Sequence, residues 1–559
     1  MILIALYWIF LALLFFPAGV LVTHALKLTI QNPVLLLLLG MVLLTTGFTC
    51  VAFFYKLGAV NLIVWSCVSL LPAIIFRKNS AQYLSNYYKE LCVLPFYLKS
   101  VLILMLAGAL LKSAQYPFVI DNESYYVQSI KWLNGYGFVK GIANLHVFFA
   151  QNSCWHVLQA GTNFSFITNR INDINGFLFI ICTAYFITEG AKANTPATRY
   201  WLGFMPLLSV LLFQFLPAPS PDVPCLLLVP VIYHLFIQSK GFDTDSKTAF
   251  ILFVFLLIVK ITMLPVGLIF LPLLKQKKAF AFMAATGLPL IALWIAKNII
   301  TSGYPLYPIA LFKTGYSWAL PKELFDFMIE ANANDGYYDS AHAPAVNTWG
   351  VKLSAWIHMG GIAGIINKLT VVLLLAMPFT NTVRKDKKAR LIYLSMLINF
   401  LVLLFTSPQF RYFLHVTIVS FLFVAAAVYN YLKLGPKVYK SLIITACAFM
   451  ILLFLNLPLS WLTKNKYHQS AGSVALKQLY RPEVNTKYPN LVFKHCKVGN
   501  LDYYSPPNFF FYGTADGPLP CVNTLQVQKF KRELGIIPQL QGTDIKDGFK
   551  SVKVGVGNK

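Results

Sequence analysis

Acidic residues are what this sequence has least of: 20 Asp plus Glu in 559 residues, against 46 Lys plus Arg. Charged residues of both signs make up only 12%, where a soluble chain carries about a quarter. That deficit excludes the three or four soluble domains that the length alone would allow. Cysteine is sparse and irregularly spaced. Cys50, Cys67, Cys182, Cys225 and Cys447 fall in apolar runs and read as small buried hydrophobes, so there is no disulfide framework. The N-terminus has no basic leader region and no small-residue cleavage site, so its apolar run reads as a retained span. No internal repeat of the kind that transporters carry is visible. The formal charge of +26 is not a nucleic-acid signature, because much of it sits in short loops between apolar runs, where Lys and Arg set topology.

What is there is apolar. Hydrophobic residues are 57% of the chain and the mean hydropathy is +0.64, which predicts an all-α polytopic membrane protein. Spans are expected at 2–23, 34–55, 58–76, 98–114, 174–190, 201–217, 223–239, 279–298, 361–380, 390–407, 411–430 and 440–462. The run 248–274 is too long for one span, is interrupted by Lys260, Thr262 and Pro265, and has lysines on both flanks. It reads as a hairpin of two short helices that bends near Lys260. The expectation is fourteen membrane-entering helices: N-terminal extra spans over 1–97, a membrane domain over 98–462 with long loops 116–173 and 299–360, and a soluble α+β cap over 463–559. Basic clusters at Arg77, Lys78 and Lys89, at Arg384 to Arg390, and at Lys433 to Lys440 fall on one side under this count, which is read as cytoplasmic. Both long loops, the 217–223 turn, the Arg411 junction and the cap then lie on the opposite, outer side. In the cap, Leu491–Phe493 and Phe509–Tyr512 read as strands, and a Cys496–Cys521 disulfide stays open.

The chemistry-bearing stretch is Tyr116 to Trp155, a polar segment straight after an apolar run. Asp121 and Glu123 suit deprotonation of an acceptor hydroxyl or oxygen ligation of a divalent cation. The same pair suits a helix start, with Asp121 as cap, and Asn122-Glu123-Ser124 is also a glycosylation sequon. Tyr125–Trp132 and Trp155–Phe166 read as amphipathic pieces lying along the interface. Gln128, Asn144, His146 and Trp155 fit a pocket rim that receives sugar hydroxyls, and equally an interfacial belt. Asp222, in PAPSPDVP, is either a carboxylate on the same face as Asp121 or the cap of a Pro-rich turn. Lys260, Lys297 and Arg411 put positive charge at outer span ends, against the topological bias. They suit a lipid phosphate, or plain headgroup pairing by snorkelling. Tyr304 and Tyr307 open the second loop in SGYPLYP, and Ala331–Ala345, with Asp335 and His342, reads as a loop over the site.

The boxes DNESYYVQSIKW, GIANLH, SPDVP, SGYPLYP and PQFRY, in this order and on one side, resemble GT-C superfamily membrane glycosyltransferases. They look closest to an uncharacterised bacterial family of GT-C-like multispan proteins. The resemblance covers most of 98–430 and, more weakly, the Pro518-Leu519-Pro520-Cys521 piece. It implies an inverting transfer from a polyprenyl-phosphate-linked sugar to a glycan, lipid or protein acceptor at the periplasmic face of a bacterial inner membrane. In that scheme Asp121 is the base and Glu123 assists or binds metal, while Lys260, Arg411 and Lys297 face the donor phosphate. Metal use varies in the superfamily, so a divalent cation is left open. The chain departs from the pattern in having D-N-E rather than adjacent acids, and three spans ahead of the usual first loop. An O-antigen-type polymerase or ligase with a diphosphate-linked donor, and a non-enzymatic lipid-linked sugar transporter, are the alternatives.

Overall fold

The computed structural model describes residues 1–171, 173–192, 201–339, 343–456 and 474–554. His342, the end of the expected last span and the start of the tail lie outside them. Nine helices among the described residues are long and apolar enough to cross a membrane. The chain begins with α1 (Ile2–Ala25), α2 (Pro33–Ala52), α3 (Ala59–Ile75), α4 (Arg77–Val93) and α5 (Phe96–Ser113). α1 and α2 cross closely because Gly19 and Gly40 face the opposing backbone, where any Cβ would collide with Leu36 and Phe15 respectively. α3 and α4 are each too short to count as a full span, and the chain bends by 84° between them at Phe76.

The first long loop itself contains α6 (Val127–Gly135) and α7 (Cys154–Thr162), and α8 (Ile174–Lys192) follows it. The segment expected to span at 201–217 is instead broken into a short helix, Met205–Ser209, and a 3-10 turn, Val210–Phe215. Its Pro206 and Pro217 leave little room for a continuous helix. α9 (Asp222–Gln238) follows, then α10 (Thr244–Val259). α10 stops at Lys260, whose backbone is extended (φ −152, ψ 110), and the chain continues as a 3-10 run, Ile261–Lys275. Pro265 and Pro272 explain the change of helix type, because each removes an amide donor from an α-helical ladder. The membrane part closes with α11 (Lys277–Ser302), α12 (Lys322–Tyr338), α13 (Gly361–Ala376), α14 (Lys387–Thr406), α15 (Phe410–Tyr431) and α16 (Pro436–Asn456). Residues 331–338, expected as loop, complete α12. Tyr337 anchors them by donating to the Leu404 carbonyl.

The C-terminal region holds two antiparallel hairpins and one helix. β1 (Lys494–Val498) pairs with β2 (Leu501–Ser505), Lys494 opposite Ser505, and after α17 (Thr524–Leu534) β3 (Ile536–Leu540) pairs with β4 (Phe549–Lys553), Ile536 opposite Lys553. The strands start three residues later than Leu491–Phe493. Phe509–Tyr512 is not a strand; its rings pack on the loops instead, Tyr512 against Phe148 at 4.7 Å and Phe511 against Phe327 at 6.2 Å. Cys496 and Cys521 are both free, their sulfurs lying beside Thr524 Oγ1 and the Thr514 carbonyl. This region sits on the first loop: Phe549 N donates to the Lys140 carbonyl at 2.9 Å, and Val522, Val527 and Phe549 share a core with Trp132, Leu145 and Phe149. The Met1 amino group reaches the Gln478 carbonyl at 2.6 Å, so α1 starts at the same end. Because the cap covers it, the first loop does not lie open along an interface. Every residue of α7 is buried, as are Val127–Ile130, Trp132 and Leu133 of α6.

Candidate active site

Four helix ends converge beneath the cap. Asp121 stands one residue before a π-helical turn, Asn122–Tyr126; Asp222 is the first residue of α9; Lys260 is the hinge after α10; Arg411 is the second residue of α15. Each is placed by local chemistry. The Asp121 carboxylate makes no cap bond to its own turn and is free to reach across the bundle. Ser407-Pro408-Gln409 breaks the chain between α14 and α15, and Trp356 Nε1 pins that break by donating to the Pro408 carbonyl at 2.8 Å.

The four side chains form one charged cluster. Arg411 Nη1 donates to Asp121 Oδ2, Lys260 Nζ donates to Asp222 Oδ1, and Arg411 Nε lies 3.9 Å from Asp222 Oδ2. Side-chain exposures are 16% for Asp121, 15% for Arg411, 18% for Lys260 and 5% for Asp222. Three of the four therefore keep a path to solvent while lying where charges interact strongly. Tyr412 links the cations: its hydroxyl accepts from Arg411 Nη2 at 3.2 Å, and Lys260 Nζ stands 3.6 Å from its ring centroid. Tyr126 OH donates to Asp121 Oδ2 at 3.4 Å. Gln409 Oε1 accepts from Arg411 Nε at 3.0 Å, and its amide donates to Asp335 Oδ2 of α12 at 3.2 Å. Loss of solvent around its carboxylate pushes the pKa of Asp335 up to about 6, against the pull of Arg411. Two acids and two cations balance, so an incoming anion has to displace a carboxylate to reach a cation.

The remaining sequence candidates lie elsewhere. Glu123 points away from Asp121, as residues two apart on a helical turn do. It is fully buried and receives Thr486 Oγ1 at 2.5 Å, Lys487 N at 3.1 Å and Asn122 Nδ2 at 3.0 Å. Burial raises its pKa, opposed by those hydrogen bonds. Its backbone carbonyl also accepts Thr514 N and Ala515 N, both at 2.8 Å. Glu123 is thus the clasp that holds the C-terminal region on the first loop. Glu123→Ala should cost roughly 3 kcal/mol of docking, since it strands a buried hydroxyl and an amide. Protease cleavage near 483–488 should then speed up well before the helices unfold; an unchanged cleavage rate would refute the clasp. Asn122 is fully buried, which removes the sequon from any surface role.

Gln128 donates to the Gly517 carbonyl at 2.8 Å, His146 Nε2 meets the Tyr512 carbonyl at 3.1 Å, and Asn144 accepts from Ser551 Oγ at 2.7 Å. All three are engaged with the cap. Burial lowers the His146 pKa to about 4, so its ring is neutral at pH 7. Trp155 donates to Asn175 Oδ1 at 2.7 Å in the core. Lys297 donates to the Asn152 carbonyl at 2.5 Å; Tyr304 donates to the Leu320 carbonyl at 3.2 Å, just ahead of α12 within the second loop, and Tyr307 to the Val147 carbonyl at 2.6 Å, tying that loop to the first. None of these makes a hydrogen bond or ion pair to the four-residue cluster. Gln409, Tyr412, Tyr126 and the approach of Asp335 were not singled out as site residues; adjacency to Arg411 in PQFRY was the available signal for the first two. Asp121 and Glu123 do not converge on one ion, and no group of three or more His, Cys, Asp or Glu among the described residues is arranged to hold a metal.

One family model matches the chain, Domain of unknown function (DUF8201), over residues 1–418. No curated protein and no solved structure matches it. The match takes in all four cluster residues and stops before α16 and the cap, and it covers about three-quarters of the 559 residues. The chain belongs to the DUF8201 family.

Proposed function

We propose that this protein is a GT-C-like membrane glycosyltransferase that moves a sugar from a polyprenyl-phosphate donor to an acceptor hydroxyl, with inversion. The observation that carries the reading is the largely buried Asp121–Arg411–Asp222–Lys260 cluster, open to solvent on three of its members, at the capped end of an apolar helix bundle. A donor phosphate entering there takes Arg411 from Asp121 and shares Lys260 with Asp222. Asp121, released from Arg411, accepts the proton of the acceptor hydroxyl as its oxygen attacks the sugar C1. The C1–O bond to phosphate breaks, and its electron pair leaves with the phosphate between the two cations. Asp222 and Gln409 hold those cations in place.

In this reading the broken 201–215 segment, α9, α10 and the Ile261–Lys275 run enter the membrane beside the nine long helices and α3, giving fourteen entering elements. The capped end then faces the periplasm of a bacterial inner membrane, because the basic loops at Arg77–Lys89, Arg384–Arg390 and Lys433–Lys440 all fall at the other end. The test is native mass spectrometry of the detergent-purified protein beside Arg411→Ala and Lys260→Ala. A polyprenyl monophosphate or its glycoside, lost in both variants, is expected. A diphosphate-linked oligosaccharide would replace this reading with a polymerase, ligase or transporter, and bulk phospholipid alone, equal in all three proteins, would end it.

A further inference from the structure

Helix α4 presents a surface that glycosyl transfer does not use. α3 starts beside the first loop, where Leu57 N donates to the Leu133 carbonyl at 2.9 Å. Its 17 residues, at about 1.5 Å each, nearly cross a bilayer core. It ends at Phe76, whose ring stacks on His24 at the far end of α1, 4.0 Å away and 9° from parallel. Ile63, Leu71 and Ile74 of α3 are exposed by 60% or more, with lipid as their natural cover. At Phe76 the chain turns by 84°, so α4 runs across the direction of the bundle rather than along it.

No residue of α4 is fully buried. On its open side Ala81, Leu84 and Tyr88 share one stripe at helical spacing, with Arg77 at its first turn; Lys78, Gln82 and Lys89 form the stripe beside it, and Asn79, Ser85 and Asn86 are exposed as well. Glu90 is the one acid between residues 77 and 99, and it is already paired with Lys192 of α8 at 2.9 Å. Arg77, Lys78 and Lys89 make no ion pair among the described residues. An apolar and aromatic stripe next to an uncompensated basic one, on a helix set perpendicular to a lipid-facing span, matches the headgroup layer of a membrane and its charge.

We propose that α4 lies in the plane of the membrane interface at the end opposite the cap, and that Arg77, Lys78 and Lys89 bind anionic phospholipid headgroups there. Leu84 and Tyr88 enter the upper acyl region, and the stacked Phe76–His24 corner holds the angle. This places a lipid-binding site on the far face, independent of the donor reading.

The full-length protein in nanodiscs of equimolar phosphatidylcholine and phosphatidylglycerol, released for native mass spectrometry, should retain phosphatidylglycerol preferentially. Arg77→Gln/Lys78→Gln/Lys89→Gln should cut that retention by roughly fivefold or more. Lys494→Gln/Lys497→Gln/Lys531→Gln, in the cap, should not. Amide exchange over 77–93 should be slower in phosphatidylglycerol-containing discs than in phosphatidylcholine alone. Unchanged retention in the α4 variant, or equal exchange in the two lipids, would overturn the proposal.

Discussion

Under the proposed transfer reaction, Asp121→Asn should lower turnover by a hundredfold to ten-thousandfold, the usual contribution of a positioned general base. The loss should fall on turnover and not on donor binding. An amide keeps the volume of Asp121 but no longer competes as an anion for Arg411, so the donor phosphate should bind as tightly as before or tighter. The variant should also stay folded, since Arg411 keeps Asp222 at 3.9 Å and Gln409 at 3.0 Å as partners. Steady-state kinetics on purified, folded protein separates the two effects. Transfer above a tenth of the original rate, or a weakened donor affinity with unchanged turnover, would remove Asp121 from the base role.

Lys260→Met should cost about 3–5 kcal/mol of stability, because it leaves Asp222 nearly enclosed with only a distant guanidinium for company. Asp222→Leu should cost less, since Lys260 keeps a solvent path and the ring of Tyr412 beneath it. The double variant should recover most of the lost stability, as apolar replacements of buried ion pairs commonly do. Donor-lipid binding should not recover with it. That divergence is the informative result: a pair kept only to join α9 to the hinge would give back both together. Unfolding midpoints for the four proteins, run as a double-mutant cycle, measure the coupling, and additive effects would show that the two residues do not act as a pair.

The overall class was legible because membrane helices announce themselves through charge scarcity and run length, both of which survive without tertiary information. The break at Lys260 was legible for a similar reason: a Lys, a Thr and a Pro within six residues of an otherwise apolar run leave few ways to stay helical. The ends that carry Asp121, Asp222, Lys260 and Arg411 could be assigned to one side by counting spans, although counting says nothing of which acid meets which cation. Glu123 shows where reading stops. Its separation from Asp121 is two positions in sequence, yet one carboxylate looks into the bundle and the other outward to Thr486, more than 360 positions away. The cap caused most of the other differences. Gln128, Asn144 and His146 look like pocket residues when the first loop is imagined bare, and become struts once a C-terminal layer is laid over them. No local pattern announces a covering that arrives so late in the chain.

The 3-10 run Ile261–Lys275 also acts as a ruler. Fifteen residues wound at about 2.0 Å each reach about 30 Å, the thickness of a hydrocarbon core, where the same residues as α-helix would stop near 22 Å. The tighter winding lets a short segment stretch from Lys260, which α10 already holds at the charged cluster, back to the lysine-rich far end. Were the run to rewind as α-helix, it would shorten by about 7 Å, and Lys275 would be drawn in from the far end while Lys260 stayed bonded to α10 through the Leu256 carbonyl. The pitch of one segment thus sets where the turn at Gln276 lies and how far from the cluster α11 begins.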